Sequence, residues 1–235
     1  MALDYPNLGL AFALSRKLAD LIGLFKINTH LFTAEGPAAV RELAKLGGGI
    51  FLDLKYHDIP NTVAEAVAVA VRLPCVRLIS VHTLGGVVMM RAAAAAVKEA
   101  KLGPRRPRLV GVTILTSQNA VSLKRVGISG TPASMAVKLA RLAQQSGLDG
   151  VVASPQEVRA IRKACGRRFL IVAPGIRPMG GVRPRAKDDQ ARVSTPRAAI
   201  EAGADYLVIG RPITAADDPR AAVESILAEI ASAVS

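Results

Sequence analysis

The sequence predicts a closed (β/α)8 barrel of the α/β class, the TIM-barrel architecture. Three observations predict it. Short β-rich runs alternate with helical patterns along the whole chain, as expected for a parallel sheet covered by helices. The helix starts and stops carry recognisable capping residues. Eight strand–helix units also fit a chain of 235 residues, near the roughly 250 that a closed barrel uses, whereas a doubly wound open sheet usually has fewer units in this length.

In order, the expected strands are Ala2–Asp4, Leu24–Asn28, Ile50–Lys55, Val76–His82, Leu109–Leu115, Gly150–Ser154, Phe169–Ala173 and Tyr206–Gly210. Thr131, Ser154 and Thr195 each precede a proline, the pattern of an N-cap followed by proline at the first helical position. Ser154 with Glu157, and Thr62 with Glu65, have the spacing of a capping box. Gly47, Gly147, Gly166 and Gly203 stand shortly before strands, where helix C-termini are expected. No linker, repeated block or low-complexity tail interrupts the series. With 51% hydrophobic residues, the chain can bury one substantial core and reads as a single domain, residues 1–235.

The formal charge of +13, from 31 basic and 18 acidic residues, favours anionic partners. Aromatic residues make up 3% of the chain and tryptophan is absent, so the stacking platforms of single-strand binders have little material. A phosphorylated metabolite is the alternative use of the charge. Cys75 and Cys165 have no metal or redox spacing, which suits a reducing cytoplasm. No basic leader precedes an apolar run, and no window approaches the roughly 18 apolar residues of a membrane span.

Several conspicuous stretches read as structure. Ala92–Ala96 suits close helix packing, and Met89 and Met90 are packing residues. The run Pro104-Arg105-Arg106-Pro107-Arg108 precedes the fifth strand, on the face away from a barrel's usual active site, and reads as a solvated turn.

The strongest local signal runs from Phe51 to Thr62. Strand side chains alternate, so Asp53 and Lys55 share one face while Leu52 and Leu54 share the other. On the inward face near a strand's C-terminal end, such a pair belongs at the barrel mouth. Asp58 follows on the loop. A structural ion-pair network is one reading of these charges. A catalytic site explains more, because a lysine between carboxylates stays cationic and can deliver a proton. Metal binding is less attractive, since the ammonium competes for the same carboxylates, and His30, His57 and His82 are scattered. Asp4, ending the first strand, and Lys26, in the second, would extend the same polar mouth.

After the seventh strand comes Pro174-Gly175-Ile176-Arg177-Pro178, then a glycine-rich basic loop to Gln190 and Arg192; the eighth strand ends in Ile209-Gly210-Arg211-Pro212. Barrels often hold phosphate with the loops after strands seven and eight. Gly210 permits close backbone approach and Arg211 supplies a planar donor fork. Arg183, Arg185 and Lys187 are either steering charges or plain surface charge. Neither a P-loop nor a Rossmann fingerprint is present, so neither ATP nor NAD is implied.

With these pieces assembled, the chain resembles the orotidine 5′-phosphate decarboxylase family over essentially its full length. The matching segments are Ala2-Leu3-Asp4, Lys26, the Asp-x-Lys-x-x-Asp-Ile-Pro-Asn-Thr signature from Asp53 to Thr62, Leu115-Thr116-Ser117, Pro174–Pro178, Gln190 and Ile209–Pro212. The resemblance implies decarboxylation of orotidine 5′-monophosphate to uridine 5′-monophosphate in pyrimidine biosynthesis, with no metal or organic cofactor. It assigns Lys55 as proton donor to C6 of the pyrimidine, flanked by Asp53 and by Asp58 reaching in from a partner subunit. Lys26, counted with these three as catalytic, and Asp4 are similar to residues engaging the ribosyl and nucleotide portion, and Thr62 to a ribose contact from the partner. Ile59 of the same motif counts among the substrate-binding positions. Thr116 and Ser117 match the pyrimidine-recognition segment, and Arg177, Gln190, Gly210 and Arg211 the phosphate site. A cytoplasmic homodimer with shared active sites is therefore expected, with no nucleic-acid or membrane partner.

Two positions depart from the family pattern. Asn28 stands where glycine is more usual, and is expected to narrow the space beside Lys26; Thr83 follows His82 in place of a small alanine. Two rival functions remain: a related barrel acting on a sugar phosphate as a metal-dependent decarboxylase or epimerase, and a nucleic-acid binder on an inactive barrel.

Overall fold

Alternation along the strands organises the molecule. The computed structural model describes residues 1–178 and 192–234. Its strands are β1 (Ala2–Leu3), β2 (Leu24–Asn28), β3 (Gly49–Tyr56), β4 (Val76–His82), β5 (Arg108–Val112), β6 (Gly150–Val152), β7 (Leu170–Pro174) and β8 (Tyr206–Val208). All pair in parallel and in chain order. A backbone bond of 2.8 Å from the Ala2 amide to the Ile209 carbonyl joins the last strand region to the first, so the sheet forms a nearly closed (β/α)8 barrel.

The helices follow as α1 (Leu8–Leu18), α2 (Thr29–Glu35), α3 (Pro37–Ala44), α4 (Pro60–Ala70), α5 (Gly86–Glu99), α6 (Ala120–Arg125), α7 (Pro132–Gln145), α8 (Val158–Cys165), α9 (Pro196–Glu201), α10 (Arg211–Thr214) and α11 (Pro219–Val234). Among the described residues none is long and apolar enough to cross a membrane. The large core lies between sheet and helices. Phe25, Ile27, Ile50, Leu52, Ile79, Val81, Ile171 and Ala173 supply its sheet side, each displaced by one residue from an inward-facing neighbour. Phe51, Leu78, Val110 and Val172 form a separate apolar cluster, with Leu24, Val152 and Val208 packed against it. This is the plug of the barrel. Two residues further along, the inward positions become Lys26, Asp53, Ser80, Val112, Pro174 and Gly210, and the barrel changes from a filled core to a polar mouth.

Four of the eight expected strands end too late. Leu109–Leu115 pairs only to Val112, Tyr206–Gly210 only to Val208, and Gly150–Ser154 only to Val152. Each of these three makes one more backbone bond, from Thr113 to Val152, from Ala2 to Ile209 and from Ala153 to Val172, and the side-chain alternation then outlasts the hydrogen-bonded ladder. Thr131 and Thr195 cap α7 and α9 by accepting from Ser134 and Ala198. The other two expected capping boxes are corrected. Ser154 caps a single 3-10 turn by accepting from Gln156, while the Glu157 carboxylate turns to Arg192. Thr62 lies inside α4, which starts at Pro60, because proline at the first position fixes the start two residues earlier. Gly47, Gly147, Gly166 and Gly203 all have positive φ, as glycine termini of helices require. Met89 and Met90 are fully buried. Cys75 and Cys165 form no disulfide.

The basic run before β5 is not simply a solvated turn. Arg106 grips Asp149 with two bonds of 2.8 and 2.6 Å, Arg108 adds one of 3.2 Å, and the Leu109 amide donates to the same carboxylate at 2.9 Å. Burial opposes the charge on Asp149, yet Arg106 and the Leu109 amide hold its carboxyl below the usual carboxylate range. This cluster fixes the N-terminal ends of β5 and β6. Asp149→Ala is expected to cost about 2 kcal/mol of stability, measured by urea unfolding; a loss within about 0.5 kcal/mol, the range of ordinary surface changes, would mean that the cluster contributes little.

Candidate active site

The mouth holds a line of alternating charge on adjacent strands. Lys55 Nζ lies 2.8 Å from Asp53 Oδ2, Lys26 Nζ is 3.4 Å from the same oxygen, and Lys26 Nζ is 3.8 Å from Asp4 Oδ1. Asp53 is 6% exposed. Burial opposes its ionisation, but Lys26 and Lys55 outweigh that cost and keep its carboxyl below the usual carboxylate range. Its second oxygen, Oδ1, accepts 2.8 Å from Ser80 Oγ, and Ser80 Oγ accepts from the Lys55 backbone amide at 2.9 Å. Ser80 therefore ties together the carboxylate and the backbone of the lysine beside it.

Lys55 has φ +52°, a left-handed conformation that costs a non-glycine residue roughly 1 kcal/mol. The β3–β4 register shifts between Leu52 and Tyr56. The irregularity detaches Lys55 from a plain ladder, as bulges beside active sites do.

Asn28, expected to crowd Lys26, has a different task. Its Nδ2 donates to Asp4 Oδ1 at 2.8 Å while its Oδ1 caps α2 by accepting from the Leu31 amide at 3.0 Å. The residue thus couples Asp4 to the start of a helix. Thr83 is buried and donates to the Val112 carbonyl at 2.8 Å, linking the C-terminal ends of β4 and β5.

These charges form one side of a cavity of about 210 Å³. Val112, Ile114, Leu115 and Val152 furnish an apolar wall, and Gly175, Arg177, Gly210 and Arg211 border it after β7 and β8. A Cβ at Gly210 would meet Ala2 and Asp4 at 3.4 Å, so a larger residue would project among the groups that shape the mouth. The cavity brings together Asp4, Lys26, Asp53, Lys55, Thr116, Arg177, Gly210 and Arg211 of the positions expected from sequence. Asp58, Ile59, Thr62 and Ser117 do not line it; all four are exposed. Asp58 accepts from the Ile59 amide at 2.6 Å. Gln190, Arg183, Arg185 and Lys187 lie outside the described residues.

The array can hold an anionic ligand through the lysines of β2 and β3 and through the guanidinium groups that follow β7 and β8. The two carboxylates of the lining, Asp4 and Asp53, already face Lys26, and no group of three or more His, Cys, Asp or Glu side chains among the described residues is arranged for a metal. A sequence profile described as "Orotidine 5'-phosphate decarboxylase / HUMPS family" matches residues 1–226. The chain belongs to this orotidine 5′-phosphate decarboxylase family.

Relatives in the family are similar over nearly their whole length. A protein named orotidine 5′-phosphate decarboxylase from Trichlorobacter lovleyi is 53% identical over 233 residues, spanning 99% of this chain and 95% of the relative. One of the same name from Moorella thermoacetica is 51% identical, spanning 98% and 90%. Among solved structures, an orotidine 5′-phosphate decarboxylase from Lactobacillus acidophilus matches with a TM-score of 0.81 at 35% identity, over 97% of this chain and 96% of that one. An uncharacterized conserved protein from Geobacillus kaustophilus matches at 0.82 and 37%, over 97% and 98%.

Sequence reading missed three features around this family site. Ser80 was readable, because it is the inward position two residues after Leu78 in an otherwise apolar strand. The Glu157–Arg192 pair was concealed by the capping-box spacing. The histidines are not all scattered: His57 and His82 stack with ring centroids 5.3 Å apart and planes at 18°. Burial, His57 and the charge of Lys55 push His82 down to about 4, so it is neutral in the fold near pH 7. An unfolded chain protonates the same imidazole near 6.5. The folded state binds that proton less readily, so its share of stability is complete above about pH 6.5 and is lost as the pH falls towards 4. His82→Gln is expected to flatten the dependence of the urea midpoint across this window, and an unchanged slope would contradict the assignment.

Proposed function

We propose that this chain, acting as one barrel domain, decarboxylates orotidine 5′-monophosphate to uridine 5′-monophosphate in pyrimidine biosynthesis, with no cofactor and with Lys55 as the proton donor. The observation that carries this reading is a single cavity lined both by the Asp4–Lys26–Asp53–Lys55 line of charge and by Arg177 and Arg211. A nucleotide has matching ends: a phosphate for the guanidinium groups, and a base carrying the carboxylate for the lysine side.

In this reaction the C6–carboxylate bond breaks, CO2 departs, and the electron pair remains at C6. The protein gains rate only by favouring that developing charge more than the starting carboxylate. The Lys55 ammonium does so as a cation 2.8 Å from Asp53, then gives its proton to C6 and regains one from solvent. Asp53 supports this in two ways. Together with Lys26 it holds Lys55 in position, and its own charge next to the substrate carboxylate adds a repulsion relieved as CO2 leaves. Asp4 and Lys26 engage the ribose, and Arg177, Gln190, Gly210 and Arg211 the phosphate. Thr116 and Ser117 read the pyrimidine. Binding energy from the phosphate, remote from C6, is available for orientation.

Asp58, Ile59 and Thr62 are exposed and lie off the cavity, yet belong to the same motif as Lys55. We assign Asp58 and Thr62 to the site of a second copy, Asp58 near its Lys55 and Thr62 at its ribose, which makes the working unit a cytoplasmic homodimer. Exposed Ile59 and Val88 give the face apolar area of the kind that oligomer interfaces cover.

Lys55→Ala is expected to lower turnover by roughly 10⁴-fold or more, followed as loss of orotidylate absorbance in metal-stripped protein, while affinity for uridine 5′-monophosphate persists. Near-normal turnover in the variant would eliminate Lys55 as donor, and activity lost by chelation in the parent would favour a sugar-phosphate member of the family. Inactive Lys55→Ala and Asp58→Ala proteins, unfolded and refolded together, are expected to regain about a quarter of parental activity by forming mixed dimers with one intact site. No recovery from mixed dimers would refute a shared site.

A further inference from the structure

Glu157 is the most buried carboxylate among the described residues, at 2% exposure. Burial raises its pKa, while Arg192 and hydrogen bonds from Ser154 pull in the opposite direction, so the guanidinium offsets part of the cost of burying the carboxylate. Arg192 Nη1 donates to Glu157 Oε1, and Arg192 Nη2 donates to the Leu115 carbonyl at 3.0 Å. That carbonyl also accepts from the Gln118 amide at 2.9 Å, closing a turn with Thr116 and Ser117 at its tip. Leu115 and Thr116 line the cavity. Two residues beyond Arg192, Ser194 accepts from the Arg177 amide at 2.8 Å and donates to the Gly175 carbonyl at 3.2 Å. One guanidinium therefore joins the segments that follow β5, β6 and β7.

A buried ion pair can be merely structural. Here its third partner argues otherwise. Strand β5 stops pairing at Val112, so the turn beyond it lacks a ladder to set its position, and Arg192 bonds the same carbonyl that closes the turn. Lysine could not do this equally well, since the two acceptors are met by separate nitrogens of one rigid plane.

We infer that Arg192, locked by Glu157, is a positioning residue that fixes the Leu115–Gln118 turn and so sets how tightly the base half of the nucleotide is held. The inference rests on the proposed function, in which Thr116 meets the pyrimidine. It predicts a selective effect: the base half of the ligand should respond to Arg192 and the sugar-phosphate half should not.

Titration calorimetry with uridine 5′-monophosphate and with ribose 5-phosphate tests this on the intact protein. Arg192→Ala is expected to weaken the nucleotide roughly tenfold, the scale of one charge-assisted hydrogen bond, and to leave ribose 5-phosphate within about twofold, less than a neutral bond is worth. The double variant Glu157→Gln/Arg192→Met, which leaves no buried charge unpaired, should behave alike if the single variant folds poorly. Thr116→Ala should cost the nucleotide less in the Arg192→Ala background than in the parent, because the turn is already displaced. Equal weakening of both ligands would reduce the pair to a structural role, and no weakening would also overturn the inference. Parent protein that binds both ligands equally and turns over no orotidylate would instead refute the proposed function itself.

Discussion

A carboxylate buried at the centre of the barrel mouth imposes the arrangement around it. Asp53 loses most of its water on folding, and several kcal/mol of hydration would be forfeited without compensation. Lys26, Lys55 and Ser80 provide that compensation from three adjacent strands. Each is held in turn: Lys26 faces Asp4, and Ser80 accepts from the backbone of Lys55. Asp4 is fixed by Asn28, which also caps a helix. Removing the central charge would leave two ammonium groups side by side in a partly dry cavity, so the members of the line stabilise one another only as a set.

The apolar plug beneath gives this set its height. Phe51, Leu78, Val110 and Val172 fill the barrel interior, and the polar layer lies two residues further along the same strands. Period-two alternation thus links the outer core, the plug and the mouth. A one-residue slip would exchange Asp53 for Leu52 and place a carboxylate among the helices. The long apolar core against the helices makes such slips expensive, and the register of the polar layer is consequently inherited from hydrophobic packing.

The same alternation explains what was legible in the sequence. Every strand was recognised, and Asp53, Lys55 and Lys26 stood out because each occupies an inward position of a strand with a clear apolar partner face, with Asp4 directly after β1. Strand ends were less legible, since the side-chain pattern continues after backbone pairing stops. Ser80 is a small hydroxyl within an apolar run and offered only its position as a signal. The Arg106–Asp149 and Arg192–Glu157 pairs span 43 and 35 residues, distances over which local spacing carries no information. The offset of Glu157 from Ser154 pointed to a local cap, of which the fold keeps only the bonds from Ser154 to the carboxylate, and gave no hint of Arg192. Asp58 was read as a second carboxylate beside Lys55 and Thr62 as a helix cap, and only the family signature placed them in a partner's site; in the folded chain they face solvent.

The backbone of Lys55 carries a consequence for how such a protein can change over time. Glycine at this position would accept φ +52° without the steric penalty that lysine meets, and would recover roughly the 1 kcal/mol spent on a left-handed residue. It would also discard the ammonium. Any screen that rewards thermal resistance alone would therefore favour substitutions here that remove the proposed proton donor. Under the proposed mechanism, selection for turnover and selection for stability pull this one position in opposite directions.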